Sequence, residues 1–156
     1  MARYKGGVRL SACAALCLTF VALAGCSGDG GDEGVWAGPP EPAADGSVAV
    51  DGFADHQESV DERWERSAEL AAAEFLRLDE RTAVRTTIAG RSEGEGGGPR
   101  GVTVTFDGLL DDSVRAERWL LLFQPDEGTY ALSSAVRTLR CHPGRGHEGF
   151  TGEPCL

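Results

Sequence analysis

Gly101 to Phe106 reads GVTVTF, with Val102, Val104 and Phe106 in one phase and Thr103 and Thr105 in the other. Successive side chains of a strand point to opposite faces, so this segment is predicted to be a strand with one apolar side. Three other segments follow the same period. Thr82 to Ala89 sets Val84, Thr86 and Ile88 against Ala83, Arg85 and Thr87. Ser113 to Gln124 alternates at first and then turns apolar in both phases from Trp119 to Phe123. That pattern predicts a central strand covered on both faces at that end. Thr129 to Cys141 is the fourth strand. Gly90 to Arg100 forms a long glycine loop, and Gln124 to Gly128 a turn in which Pro125 presets φ and Gly128 takes φ > 0.

Upstream the period changes. Trp64, Ala68, Ala71, Phe75 and Leu78 fall three and four residues apart, one apolar stripe on a helix of about 20 residues. Ser59-Val60-Asp61-Glu62 fits a capping box at its start. A helix followed by four consecutive strands predicts an α+β fold. One N-terminal helix packs across a four-stranded antiparallel meander, the layout that cystatin-like and NTF2-like folds share. Residues 58–156 are the expected domain, large enough for one modest core.

Residues 26–57 are dominated by glycine, proline, alanine and acids, with no sustained periodicity. They are expected to form a disordered acidic tether, with a reach of roughly 30 Å. Trp36 stands out in it, and loose packing is its expected role. Residues 1–25 carry a basic head, Arg3, Lys5 and Arg9, before the apolar run Leu10 to Ala24. The run falls short of the ~20 apolar residues that cross a bilayer, so it reads as an export signal.

That run ends in Leu23-Ala24-Gly25-Cys26. The ending resembles the lipobox of bacterial lipoproteins. The resemblance implies diacylglycerol on the Cys26 sulfur and cleavage that leaves Cys26 as the first residue. Ala22-Leu23-Ala24 also fits an ordinary A-x-A cleavage site, which would release a soluble protein. Cysteine count favours the first reading. Of five cysteines, Cys13 and Cys17 leave with the signal, and lipidation of Cys26 leaves Cys141 and Cys155 as a pair. Two acyl chains suffice for stable anchoring.

Removing the signal leaves 12 basic residues against 25 acidic ones, a net charge of −13. Such a surface is repelled by phosphate backbones and anionic lipid heads, which excludes nucleic acid as an expected partner and leaves membrane contact to the lipid. The only lysine is Lys5, so Schiff-base and lysine-base chemistry have no residue in the mature chain.

The last sixteen residues, CHPGRGHEGFTGEPCL, begin with Cys141 and almost end with Cys155. Arg140 to His147, then Phe150 and Pro154-Cys155, resemble the carboxyl end of small secreted lipoproteins of streptomycete-type actinobacteria. That resemblance transfers no function. As the only thiols left after lipidation, in a compartment that permits oxidation, Cys141 and Cys155 are expected to form a disulfide. A loop of about 15 residues closed this way gains ~3 kcal/mol. Metal ligation by the two thiolates is the competing account. His142 and His147, with Glu148, add nitrogen and carboxylate donors but make a poor zinc set, and are read as surface groups. Gly144 to Gly149 matches G-x-G-x-x-G, yet no helix has room to follow it, so the nucleotide reading is rejected.

No nucleophile motif stands out. Ser133-Ser134 lies mid-strand with no histidine near in sequence, and Asp111-Asp112 reads as a solvated turn. No catalytic residue, metal or cofactor is expected. The sequence therefore points to a lipoprotein on the outer face of the cytoplasmic membrane, serving as a non-catalytic module that binds an envelope protein or a small ligand. The alternative is an envelope or small-molecule enzyme whose site is assembled from separate strands.

Overall fold

The computed structural model describes residues 35–60, 62–92 and 98–156. Cys26 lies outside them. The described chain forms β1 (Ser47–Val48), α1 (Asp51–Ser59), a 3-10 turn (Arg63–Arg66), α2 (Ala68–Phe75), β2 (Arg85–Ser92), β3 (Arg100–Asp107), β4 (Val114–Asp126) and β5 (Thr129–Cys141). The fold is α+β. One antiparallel sheet runs in the order β1-β5-β4-β3-β2. The four alternating segments make the meander β2–β5, with β4 at its centre, and β1 adds a fifth strand beside β5. Among the described residues, no helix is long and apolar enough to cross a membrane.

The turn between β4 and β5 is shorter than predicted. Pro125 and Asp126 still belong to β4, and only Glu127 and Gly128 turn, both at positive φ (41° and 97°). Two such residues match the right-handed twist of the flanking strands. Pro125 fits because β3 pairs with β4 only as far as Phe123, so the missing N–H faces no neighbour there.

The single long helix expected from Ser59 gives way to the 3-10 turn and the short α2, and a second helix, α1, forms upstream in the expected tether. Ser67 takes an extended conformation (φ −137°, ψ 120°), and its hydroxyl accepts from the Leu70 amide. A serine that bonds its own downstream backbone starts a helix better than it continues one. The capping box forms at Glu62 and Glu65, where the Glu65 carboxylate accepts from the Glu62 amide at 3.1 Å. The Ser59 hydroxyl instead donates to the His56 carbonyl at the end of α1. The apolar stripe survives the break: Ala68, Ala71 and Phe75 are buried, with Trp64 and Leu78 at the margin of the core.

Residues 35–57 are part of the domain, which corrects the tether over the portion that is described. The Trp36 indole N–H donates to the Phe75 carbonyl at 2.8 Å, and Arg77 donates to the Trp36 carbonyl. Gly46, at φ +84°, lies so close to the Arg137 carbonyl that a Cβ would strike it. Its own carbonyl accepts from the Arg137 amide, which brings β1 into register. Phe53 of α1 is wholly buried. Composition argues for disorder when apolar residues are scarce, but here Trp36, Val48 and Phe53 are enough. Each is seated in a core that the rest of the chain already supplies.

The core lies between the helices and one face of the sheet. Val102, Val104, Phe106, Trp119, Leu121, Phe123 and Ala135 face Phe53, Ala68, Ala71, Ala72, Phe75 and Leu76. Among the described residues, the other face has no helical layer. Leu120 is 46% exposed there, so the apolar run of β4 is covered on one side rather than both. Strand β2 is exposed along its length although α2 reaches it at Gly90 through Glu69, and Val84 at its approach is 84% exposed. At the far edge, Thr151 exchanges two backbone hydrogen bonds with Leu139, and Phe150 lies over Arg118 at 3.8 Å and Arg140 at 5.1 Å.

Trp36→Ala is expected to destabilise the domain by about 2–4 kcal/mol, the range for truncating a large aromatic side chain in partial contact with a core. Urea denaturation checks it. A tryptophan in a free tether would leave the midpoint where it was.

Candidate functional site

Helix α1 places Phe53 and His56 three residues apart, hence on one side. The 3-10 turn adds Trp64, α2 adds Glu74 and Phe75, and the segment before β1 returns Trp36 to the same place. The rings form a continuous cluster. Trp36 lies 5.1 Å from Phe53 and 5.7 Å from Phe75, while Phe53 lies 5.8 Å from Trp64. The His56 ring stacks on Trp64 at 5.9 Å (12° between planes) and on Trp36 at 6.3 Å (26°).

This cluster borders a cleft of about 360 Å³, lined by Val35, Trp36, His56, Val60, Glu62, Trp64, Glu74, Arg77 and Asp79. Its size falls within the ~300–1,000 Å³ of small-molecule sites. Arg77 is the cation of the lining, and it is already engaged: it pairs with Asp79 and Glu80 and donates to the Trp36 carbonyl. Its position follows from how α2 ends. The Leu78 amide reaches the Ala73 carbonyl and the Arg77 amide the Glu74 carbonyl, which leaves Arg77 at φ 50° as the left-handed residue of a Schellman turn. Glu62 and Glu74 keep the cleft acidic. The His56 side chain is 10% exposed, and its buried Nε2 has no hydrogen-bond partner, with Glu74 Oε1 3.7 Å away.

A second polar cluster is closed. Glu117, 7% exposed, sits in the inward phase of β4 beside Trp119. One oxygen accepts from Arg81 (2.5 Å) and from the Trp119 indole, and the other from Arg137 (2.9 Å). Residues Pro39 to Pro42 border it, leaving a cleft of about 210 Å³. Arg81 also lies over the Phe106 ring at 5.0 Å. Both carboxylate oxygens are occupied, so this arrangement ties β4 to β5 and to the chain entering β2.

The residues predicted from the tail do come together. Cys141 and Cys155 form a disulfide with a Cα–Cα distance of 5.5 Å. Their sulfurs and the His147 ring lie within 4.8 Å of one another, a spacing that three metal ligands would share. The sulfurs are bonded to each other, however, which corrects the thiolate-ligand account. His147 Nδ1 meets the Gly149 carbonyl at 2.8 Å and Nε2 the Glu153 carbonyl at 2.9 Å. Two carbonyls on one ring call for two N–H groups, which only the imidazolium has. These contacts, Gly149 first and then Glu153, hold the His147 pKa above its ordinary value. The His142 side chain takes no part in the cluster; its amide donates to the Ser113 carbonyl. Asp111 caps the β3–β4 turn by accepting from the Val114 and Ser113 amides, which lowers its pKa. Ser133 donates to the Leu122 carbonyl at a bulge.

Sequence reasoning missed the aromatic cleft. Trp36 was a visible oddity and Phe53–His56 a visible helical pair, but the signal was spread over four separate segments. Comparison of the chain with protein-family models, with curated proteins and with solved structures finds no match.

Because the folded His147 has a raised pKa, its contribution to holding the tail is full below the ordinary value of 6.5. It is lost as pH rises through the higher folded value. An NMR titration of the His147 ring is expected to give a midpoint above 6.5. The Tm gap between wild type and His147→Gln should narrow as pH rises through that midpoint. A gap that stays constant with pH would contradict the imidazolium clamp.

Proposed function

We propose that this chain is an extracytoplasmic lipoprotein of the actinobacterial type, held on the outer face of the cytoplasmic membrane through Cys26, and that its domain is a non-catalytic binding module. The observation that carries the binding reading is the cleft between Trp36, His56 and Trp64. It is large enough for a small ligand, is walled by aromatic rings beside carboxylates, and gathers residues from four segments.

The chemistry elsewhere supports the same reading. The inner face of the sheet is packed with Phe75, Leu76 and alanines rather than open to substrate. The shifted carboxylates, Asp45, Glu69 and Asp111, each have local hydrogen-bonding partners that account for the shift: Ser47, Arg100 and the turn amides. In Glu69, burial raises the pKa, and the Arg100 guanidinium, the backbone and the Ser67 hydroxyl together outweigh it. The helical layer across one face of the sheet is the plan of cystatin-like and NTF2-like folds, and that likeness is part of the proposal.

The anchor is tested in cells. Cys26→Ala is expected to abolish incorporation of labelled fatty acid and to leave the precursor unprocessed by the lipoprotein route. If the variant partitions into detergent as the wild type does, the anchor is elsewhere. For the binding role, proximity labelling on intact cells is expected to mark specific envelope neighbours in the wild type.

A further inference from the structure

We propose that the cleft binds a small organic cation with a weakly hydrated ammonium head, a quaternary or N-methylated amine. This rests on the reading of the domain as a binding module and names the ligand class.

Three features select the charge of the occupant. Trp36 and Trp64 border the cleft and are only partly buried, and the quadrupole of an indole face attracts cations. Glu62 and Glu74 supply negative charge at its margin, and Glu74 makes no hydrogen bond or ion pair closer than its 3.7 Å approach to His56. Arg77, which would repel a cation, has its guanidinium held by Glu80, Asp79 and the Trp36 carbonyl. The long-range field agrees, since the whole chain carries −10.

Two features select the kind of cation. A bare metal ion takes several oxygen ligands at ~2–2.6 Å, and aromatic walls supply none. A methylated ammonium instead loses little hydration on entering and gains from each ring face it touches. The buried Nε2 of His56 is the second pointer to a ligand. It is a polar atom in the lining with no partner, in a side chain that is nine-tenths buried, beside a carboxylate too far away to satisfy it. A polar group left in this condition is costly, and an N–H or O–H of the bound amine that reaches it relieves the cost.

The test uses the purified lipidated protein in detergent, with tetramethylammonium and choline as probes and tryptophan fluorescence as readout. Saturable quenching is expected, with the neutral carbon isostere of choline, 3,3-dimethylbutan-1-ol, bound about tenfold more weakly. Glu74→Gln lies on the helix surface and is expected to keep the far-ultraviolet circular dichroism of wild type. It should weaken choline several-fold while leaving the neutral isostere unchanged. Trp64→Leu should weaken both. Equal binding of choline and its isostere would overturn the cation inference, as would an identical response to calcium. Absence of saturable binding by either ammonium would overturn it too. The binding-module reading would then stand or fall separately, on whether the same protein labels specific neighbours in cells.

Discussion

Phe75 is the contact on which the rest of this domain depends. Its ring meets Trp119 on the central strand edge-on at 6.0 Å, Phe53 of α1 at 5.2 Å and Trp36 of the N-terminal segment at 5.7 Å. One side chain thus joins the sheet, both helices and the chain that precedes them. Each such pair contributes about 0.5–1.5 kcal/mol beyond the area it buries, and a domain of this size has only about 5–15 kcal/mol in total. The alanines at 68, 71 and 72 matter for the same reason. Small side chains let α2 approach the sheet closely enough for Phe75 to reach Trp119.

The aromatic cluster also explains why the candidate site lies where it does. Phe53 and Phe75 are buried in the core, while Trp36, His56 and Trp64 continue the same cluster to the surface. The cleft is therefore the exposed margin of the hydrophobic core, edged by the acids of the 3-10 turn and α2. A site built this way inherits its rigidity from the fold. At the opposite end of β5 the tail is closed by different means, a disulfide, the His147 contacts and the Thr151 bridge, which together cover an otherwise open strand edge.

Much of this was legible in the chain. The period-two segments placed β3, β4 and β5 nearly to the residue, because alternation is a local property of a strand with one buried face. The disulfide followed from counting thiols. The helix was only half legible: the apolar stripe from Trp64 to Leu78 was real, but Ser67 offered its hydroxyl to a downstream amide, and periodicity counts apolar side chains without weighing that competition. Glu117 was legible in hindsight. It is a charge in the inward phase of β4, and such a group demands partners, though nothing in the sequence says that they are Arg81 and Arg137.

What the sequence by itself determined was the four-stranded meander and its strand order, the apolar stripe from Trp64 to Leu78 and the pairing of Cys141 with Cys155. These depend on neighbours in sequence or on simple counting. Only the tertiary structure decided that Trp36 leaves the expected tether to cover Phe75, that one face of the sheet has no helical layer among the described residues, and that Trp36, His56, Trp64 and Glu74 meet. Contacts of that kind join residues far apart in sequence, 39 positions in the Trp36–Phe75 hydrogen bond and 41 in the Arg77–Trp36 one. They form only where a shared core repays the entropy of closing the intervening chain, and that balance belongs to the assembled domain rather than to any stretch of it.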